Sequence, residues 1–383
     1  MPRRKKTDAP PATLGELKAS GYESRTLRDE IRSNLSKRIS EGDELFPGIR
    51  GYESTAIPEI ENALMSGQDM IILGERGQAK SRMVRAITGL LDERVPVIKG
   101  SEINDDPCNP ISRMGLDIVA EQGDDTPIEW LARDDRYGEK LATPDITMAE
   151  LLGDVDPIKV AEGRYLSDEL TIHYGLIPRT NRGVFCINEL PDLAERIQVG
   201  LFNLMEERDI QIKGYRVRMP LDILIVGTAN PEDYTNRGRI ITPLKDRYGS
   251  QVRTHYPERI EDELEIAEQE RSHYAESEER IHVPPYMSEV IGEITSLARR
   301  SPEVNQRSGV SVRMTIANLE TARASALRRA LRLHEEMGSI RVSDMSGLIA
   351  STRGKLELET IEEGRENDVI EEIIKRAVLD VFD

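Results

Sequence analysis

The strongest constraint on this 383-residue chain is an apolar run that ends in a glycine-bounded octet. Met70-Ile71-Ile72-Leu73 leads into Gly74-Glu75-Arg76-Gly77-Gln78-Ala79-Lys80-Ser81. Val84, Ile87, Leu90 and Leu91 then recur at helical spacing. An unbroken apolar run suits a strand buried on both faces, and the spacing after it predicts a helix over 80–92. A strand, a glycine loop and a helix in that order point backbone N–H groups and the positive end of a helix at one spot, which suits phosphate. The octet matches G-x-x-x-x-G-K-[ST] at Gly74, Lys80 and Ser81. It departs at Ala79, where the second glycine belongs; alanine keeps its N–H and is acceptable there with a negative φ. Gly77 leaves freedom in mid-loop. In such a loop Gly74, Gly77, Gln78, Ala79, Lys80 and Ser81 bind the nucleotide. Lys80 reaches the β- and γ-phosphates, and the Ser81 hydroxyl is a ligand of Mg²⁺. ATP and Mg²⁺ are the cofactors this implies.

A chance Lys-Ser in a strand–helix turn would give the same octet, so the other strand ends decide. Val184-Phe185-Cys186-Ile187 ends in Asn188-Glu189. In P-loop ATPases such a strand ends in Asp-Glu, the Asp orienting a metal-bound water. The Glu is the general base or positions the attacking water. Glu189 stands in the second place, and Asn188 replaces the Asp. Its carbonyl still reaches a metal-bound water, but without negative charge, which predicts weaker Mg²⁺ organisation and slow turnover. The run Ile223–Val226 leads to Gly227-Thr228-Ala229-Asn230-Pro231. Beside the Glu189 strand, Asn230 is placed to hold the attacking water. Taken by itself, an Asn before Pro is an ordinary turn former.

Composition fixes the frame around these motifs. Residues 1–44 read as a polar N-terminal extension with one charged helix near 27–39. Residues 45–257 carry four short apolar runs, Val95-Pro96-Val97-Ile98 among them, with helical patterns between them, which predicts an α/β core. The segment from 115 to 180 is long for a connection between two strands and reads as holding an insert near 140–180, of the kind that is usually functional or mobile. From 258 to 383 the strand signal stops and amphipathic helical patterns follow one another. The last stretch, to Asp383, has no cap or tail, so the sequence leaves open whether the chain continues. The formal charge of −18 argues against a general nucleic-acid binder. Two cysteines, Cys108 and Cys186, form no disulfide framework or four-ligand zinc site, which points to a reduced cytoplasm. No apolar run approaches the roughly 20 residues of a membrane span. The five histidines show no ligand spacing.

Together these elements resemble the AAA+ ATPases, specifically the magnesium-chelatase I-subunit/MoxR-like branch with a helix-2 insert, over residues 45 to 350. Phe46-Pro47-Gly48-Ile49-Arg50-Gly51 looks like the entry segment. Asp105-Asp106-Pro107 and Asn181-Arg182-Gly183 are similar to segments flanking the second and third strands. Thr143-Pro144-Asp145 through Asp156 resembles the approach to the helix-2 insert, and 206–219, around Lys213-Gly214, a pore-facing hairpin. The resemblance implies a three-layer α/β sandwich with a five-stranded parallel sheet in the order 5-1-4-3-2 and a C-terminal helical lid. Asn230 matches sensor 1. Leu244-Lys245-Asp246-Arg247-Tyr248 makes Arg247 the arginine finger, and Ser311-Val312-Arg313 makes Arg313 the sensor 2 arginine, with Arg307 in reserve. Ring assembly, in sixes, with nucleotide between neighbours is implied. So is an ATPase motor that remodels a partner protein, one carrying an integrin-like metal-binding domain. A genuine I subunit of a magnesium or cobalt chelatase, a weakly hydrolysing nucleotide switch or scaffold, and a DNA-acting AAA+ protein are the alternatives.

Overall fold

The computed structural model describes residues 10–156, 169–206, 210–212, 215–217, 219–230, 239–306, 308–359 and 365–382. Arg307 lies outside them. Five strands, β1 (Met70–Leu73), β2 (Tyr137–Leu141), β3 (Gly183–Asn188), β4 (Ile223–Ala229) and β5 (Ser250–Arg253), form one parallel sheet. Their order is 5-1-4-3-2, as the resemblance implies. Successive side chains on a strand point to opposite faces. Ile71, Leu73, Phe185, Ile187, Ile223 and Ile225 enter one apolar cluster. Met70, Ile72, Val184, Cys186, Leu224 and Val226 enter the other. Both faces are thus covered, which is why these strands read as unbroken apolar runs.

One expectation is corrected. Val95–Ile98 is not a strand of this sheet. Arg94–Ile98 pairs antiparallel with Ile128–Ala132 in a separate ladder. Pro96 has no N–H to give, which suits a two-stranded edge better than a sheet interior. The second strand of the parallel sheet, Tyr137–Leu141, comes instead from the segment read as holding the insert, and it pairs with β3. Beyond it, helix Met148–Leu151 precedes a short antiparallel pair, Gly153–Val155 with Ile172–Tyr174.

Helix Leu27–Glu41 lays Leu27, Ile31 and Leu35 into the second sheet cluster. Thr26 caps it, accepting from Asp29 N, and Gly42 ends it with φ 75°. Glu30 on its buried side takes Arg136 bidentately, at 2.7 and 2.6 Å, just before β2. Arg136 Nε also donates to Arg182 O at 2.7 Å, just before β3.

Residues 260–382 supply a third apolar core of their own, built from helices Ile260–Glu270, Pro285–Arg300, Arg313–Leu333 and Arg365–Phe382. This helical unit is seated directly on the loop 74–79 that follows β1. A Cβ at Gly77, where φ is 76°, would come within 2.4 Å of Ser311 Cβ. Tyr256, in the connection, donates from its hydroxyl to Arg76 O at 3.0 Å, and Arg299 from the helices stacks 4.2 Å over the Tyr256 ring. Gln269 Nε2 donates to Gly48 O at 3.0 Å.

Candidate nucleotide site

The loop 74–79 leaves the end of β1 and turns into helix Lys80–Ile87. Its shape is held from beneath. The Gln78 carboxamide oxygen accepts from Glu75 N at 2.9 Å and from Thr254 Oγ1, just past β5, at 2.7 Å. Gln78 is therefore a buttress of the loop, and its backbone oxygen accepts from Tyr52 Oη at 3.1 Å. Gly74 is required by space: a Cβ there would lie 1.7 Å from Thr254 Oγ1.

Ala79 departs from expectation. Its φ is 56°, in the left-handed region, not negative. The tight turn into the helix imposes this conformation, which explains why glycine is the ordinary residue at the position. An L-residue there costs roughly 1–2 kcal/mol relative to glycine, offset in part by about 0.4–1 kcal/mol from the looser unfolded chain that glycine brings. Ala79→Gly is expected to stabilise the protein slightly, with a rise in Tm that a thermal melt would register. A clear fall in Tm would contradict the left-handed turn.

Three sequence-predicted residues converge behind the loop. Lys80 Nζ, buried, donates to Gly74 O at 2.5 Å, Glu75 O at 2.9 Å and Asn230 Oδ1 at 2.7 Å. Asn230 Nδ2 in turn donates to Glu189 Oε2 at 2.8 Å. The ammonium, the amide and the carboxylate thus form one chain across the ends of β1, β4 and β3. Glu189 has φ 54°, so the strand breaks sharply there and turns the carboxylate out of the sheet. Its backbone N–H donates to Thr228 Oγ1 at 3.2 Å.

Beside this chain Ser81 Oγ donates to Asn188 Oδ1 at 3.3 Å. Thr228 Oγ1 and Cys186 Sγ donate to the same oxygen at 3.1 and 3.3 Å. Burial and the nearby Glu139 charge push the Cys186 thiol up to about 12, so it remains a protonated donor. A hydroxyl and an amide carbonyl are oxygen donors of the kind Mg²⁺ takes when it relies mainly on phosphate and water for the rest of its shell. Among the described residues no group of three or more His, Cys, Asp or Glu is placed to hold a metal by itself.

In front of the loop lies a cavity of about 380 Å³. Residues 76–82 and Glu189 form its polar end; Ile49, Tyr52, Pro257, Ile266 and Ile316 form an apolar wall. Arg313, the first residue of helix Arg313–Leu333, also lines it, from the helical unit. Arg247 is not brought to this cavity. It ends helix Thr242–Arg247, paired with Glu206 at 2.5 Å, with its guanidinium 4.5 Å over the Phe202 ring. In the 206–219 hairpin, Ile210–Ile212 pairs antiparallel with Tyr215–Val217, while Lys213 and Gly214 lie outside the described residues.

Sequence reasoning passed over Thr228, Tyr52 and Glu139. Thr228 was legible in principle, since it precedes Asn230 by two residues and so shares its side of the strand. Tyr52 follows directly on the entry segment and carries no motif. Glu139 sits on a half-exposed edge strand whose pattern is too polar to stand out.

Comparison with known proteins finds no protein-family profile that matches the chain. The chain is similar to the magnesium-chelatase subunit ChlI of Nostoc sp., at 24% identity over 278 residues, 68% of this chain and 66% of that protein. It is similar to the magnesium-chelatase 38 kDa subunit of Cereibacter sphaeroides, at 26% over 234 residues, 58% of this chain and 61% of that one. The chain thus spans less than two thirds of the length of these curated relatives. A structure of the BchI–BchD complex of magnesium chelatase aligns with a TM-score of 0.44 and 19% identity, covering 86% of this chain and 98% of that one. The similarity to AAA+ proteins of the magnesium-chelatase I-subunit branch, read first from the motifs, recurs in these relatives.

Proposed function

We propose that this chain is a Mg²⁺-dependent ATPase subunit of magnesium-chelatase type that works in a ring and remodels a partner protein. The observation that carries the reading is the Lys80–Asn230–Glu189 chain placed directly behind a glycine loop and beside a cavity with one polar end. Each member has a task. Lys80 exchanges its two loop carbonyls for phosphate oxygens when nucleotide enters. Ser81 and Asn188 hold Mg²⁺ or its water, and the ion neutralises phosphate charge when bound. Asn230 fixes the Glu189 carboxylate, which takes the proton of the attacking water. Arg313 follows the helical unit and so couples its position to the γ-phosphate. The apolar wall with Tyr52 takes the base.

Arg247 supports the ring. It lies outside its own chain's cavity, held by Glu206 and Phe202, and would exchange Glu206 for a neighbour's nucleotide when it acts as an arginine finger. A ring of six and a partner with an integrin-like metal-binding domain are read from the family resemblance, and a cytoplasmic setting from the two cysteines. No described helix is long and apolar enough to cross a membrane.

Nucleotide binding tests the site. Lys80→Ala removes the phosphate contact and a charge-assisted bond to Asn230. Titration with a fluorescent ATP analogue is expected to show binding weakened by two orders of magnitude or more, about 3 kcal/mol. Equal binding by wild type and variant would place the nucleotide elsewhere.

A further inference from the structure

The strand end that carries Asn188 has a carboxylate after all, on the neighbouring strand. Glu139 lies on β2, where it pairs in register with Cys186, two residues before Asn188. Its Oε1 accepts a short hydrogen bond from Asn188 Nδ2. Its Oε2 accepts from Arg85 Nε and Nη2 at 3.0 and 2.7 Å and from Tyr137 Oη at 3.0 Å. Arg85 is on the phosphate-loop helix, four residues after Ser81, so Glu139 ties that helix to the metal strand.

The consequence follows from donor and acceptor chemistry. An ionised carboxylate only accepts, so Asn188 must turn its NH₂ group toward Glu139. Its carbonyl oxygen is then turned toward Ser81, Thr228 and Cys186, all donors. Without Glu139 that orientation would rest on the two hydroxyls and the thiol alone, and because a hydroxyl can accept as well as donate, the NH₂ group could turn to face the cation, which it would repel.

The geometry points to Glu139 as a positioning residue that orients Asn188 and supplies, one strand away and shared with Arg85, the carboxylate that an Asp at position 188 would carry. This rests on the reading of the loop as a Mg²⁺–nucleotide site. The pair Asn188–Glu139 is a neutral–anionic couple equivalent in charge to a carboxylate at 188 beside a neutral amide at 139. Nothing in the sequence spacing announces this, because 49 residues separate the two.

A charge swap tests it, with two readouts. The first is thermal melting of the nucleotide-free protein. Asn188→Asp sets two carboxylates in direct contact, so one must take up a proton or the pair must part. Its Tm is expected to fall by at least about 4 °C. Adding Glu139→Gln reverses the hydrogen bond and is expected to recover most of that loss. Asn188→Asp as stable as wild type, or a double variant no better than the single, would overturn the pairing.

The second readout is binding of the fluorescent ATP analogue with MgCl₂ against the same titration with EDTA. Glu139→Gln by itself leaves the pair without charge, and the gain in affinity that Mg²⁺ brings is expected to shrink about tenfold, as for other outer-shell partners of a metal. The double variant is expected to keep that gain within about threefold of wild type, its carboxylate having moved rather than vanished. Unchanged Mg²⁺ dependence in Glu139→Gln would overturn the role toward the cation, since a purely structural residue would alter melting but not this ratio. If wild type binds no nucleotide with or without Mg²⁺, the nucleotide reading itself fails. The melting comparison then judges the orientation of Asn188 separately.

Discussion

Glu189→Gln is expected to hold ATP and not turn it over. The substitution keeps the length and shape of the side chain, and its amide oxygen can still accept from Asn230 Nδ2, which lies 2.8 Å from Glu189 Oε2. The left-handed turn at position 189 and the bond from its N–H to Thr228 are backbone features and survive. What is lost is the basic oxygen. General-base catalysis contributes roughly 10²–10⁴ in rate, and turnover is expected to fall by that factor. Nucleotide affinity should stay within about threefold, since in the proposed mechanism Glu189 acts on the attacking water and not on the phosphates. Single-turnover and steady-state rates with radiolabelled ATP separate the two. A variant that hydrolyses at the wild-type rate would remove Glu189 from the mechanism.

Glu30→Ala is expected to cost more stability than any other single change at the N-terminal end. Glu30 and Arg136 are 4% and 1% exposed and paired through both guanidinium nitrogens. The same carboxylate accepts from Asp92 N at 2.6 Å, so it also fixes the turn before the Arg94–Ile98 strand. Truncation leaves a guanidinium buried without its anion. Breaking a buried pair in this way costs about 3–5 kcal/mol, several times what a surface pair is worth. For a domain of some 200 residues that is a fall in Tm of roughly 6–20 °C. Replacing both partners with apolar residues of similar volume is expected to be far milder. A single variant that melts within 2 °C of wild type, roughly half a kcal/mol, would show that water or another group reaches Arg136.

These two sites differ in how far the sequence foretold them. Glu189 and Asn230 were legible because each follows directly on an apolar run, Lys80 and Ser81 because a glycine-bounded loop links them to one, and the ends of parallel strands meet at one edge of the sheet. A local pattern therefore carried tertiary information. The Glu30–Arg136 pair was not legible: 106 residues separate the partners, and the stripe Leu27, Ile31, Leu35 is narrow on an otherwise charged helix.

The second strand failed for a related reason. Tyr137-Gly138-Glu139-Lys140-Leu141 lies at the edge of the sheet and is only half-buried, so it lacks the apolar run of the inner strands. Val95-Pro96-Val97-Ile98 is more apolar yet pairs elsewhere. Apolarity reports burial, and here burial came from packing outside the parallel sheet. Misplacing that strand also hid Glu139, and with it the charge that Asn188 lacks. The sign of φ at Ala79 follows from the tight turn into helix Lys80–Ile87, which residue types alone do not specify. Arg247, expected from the resemblance to act on a neighbour's nucleotide, lies at the end of helix Thr242–Arg247 and outside its own chain's cavity.

Mg²⁺-dependent release of phosphate from ATP, measured across protein concentration for wild type beside Lys80→Ala, Glu189→Gln and Arg247→Ala, tests the proposed ATPase most directly. Wild type is expected to release phosphate with a specific activity that rises with protein concentration, as a site completed by a neighbour requires. All three variants should be at background, and Arg247→Ala should still bind nucleotide. No release by wild type above the Glu189→Gln background, at saturating ATP and Mg²⁺ and at every concentration, would contradict it.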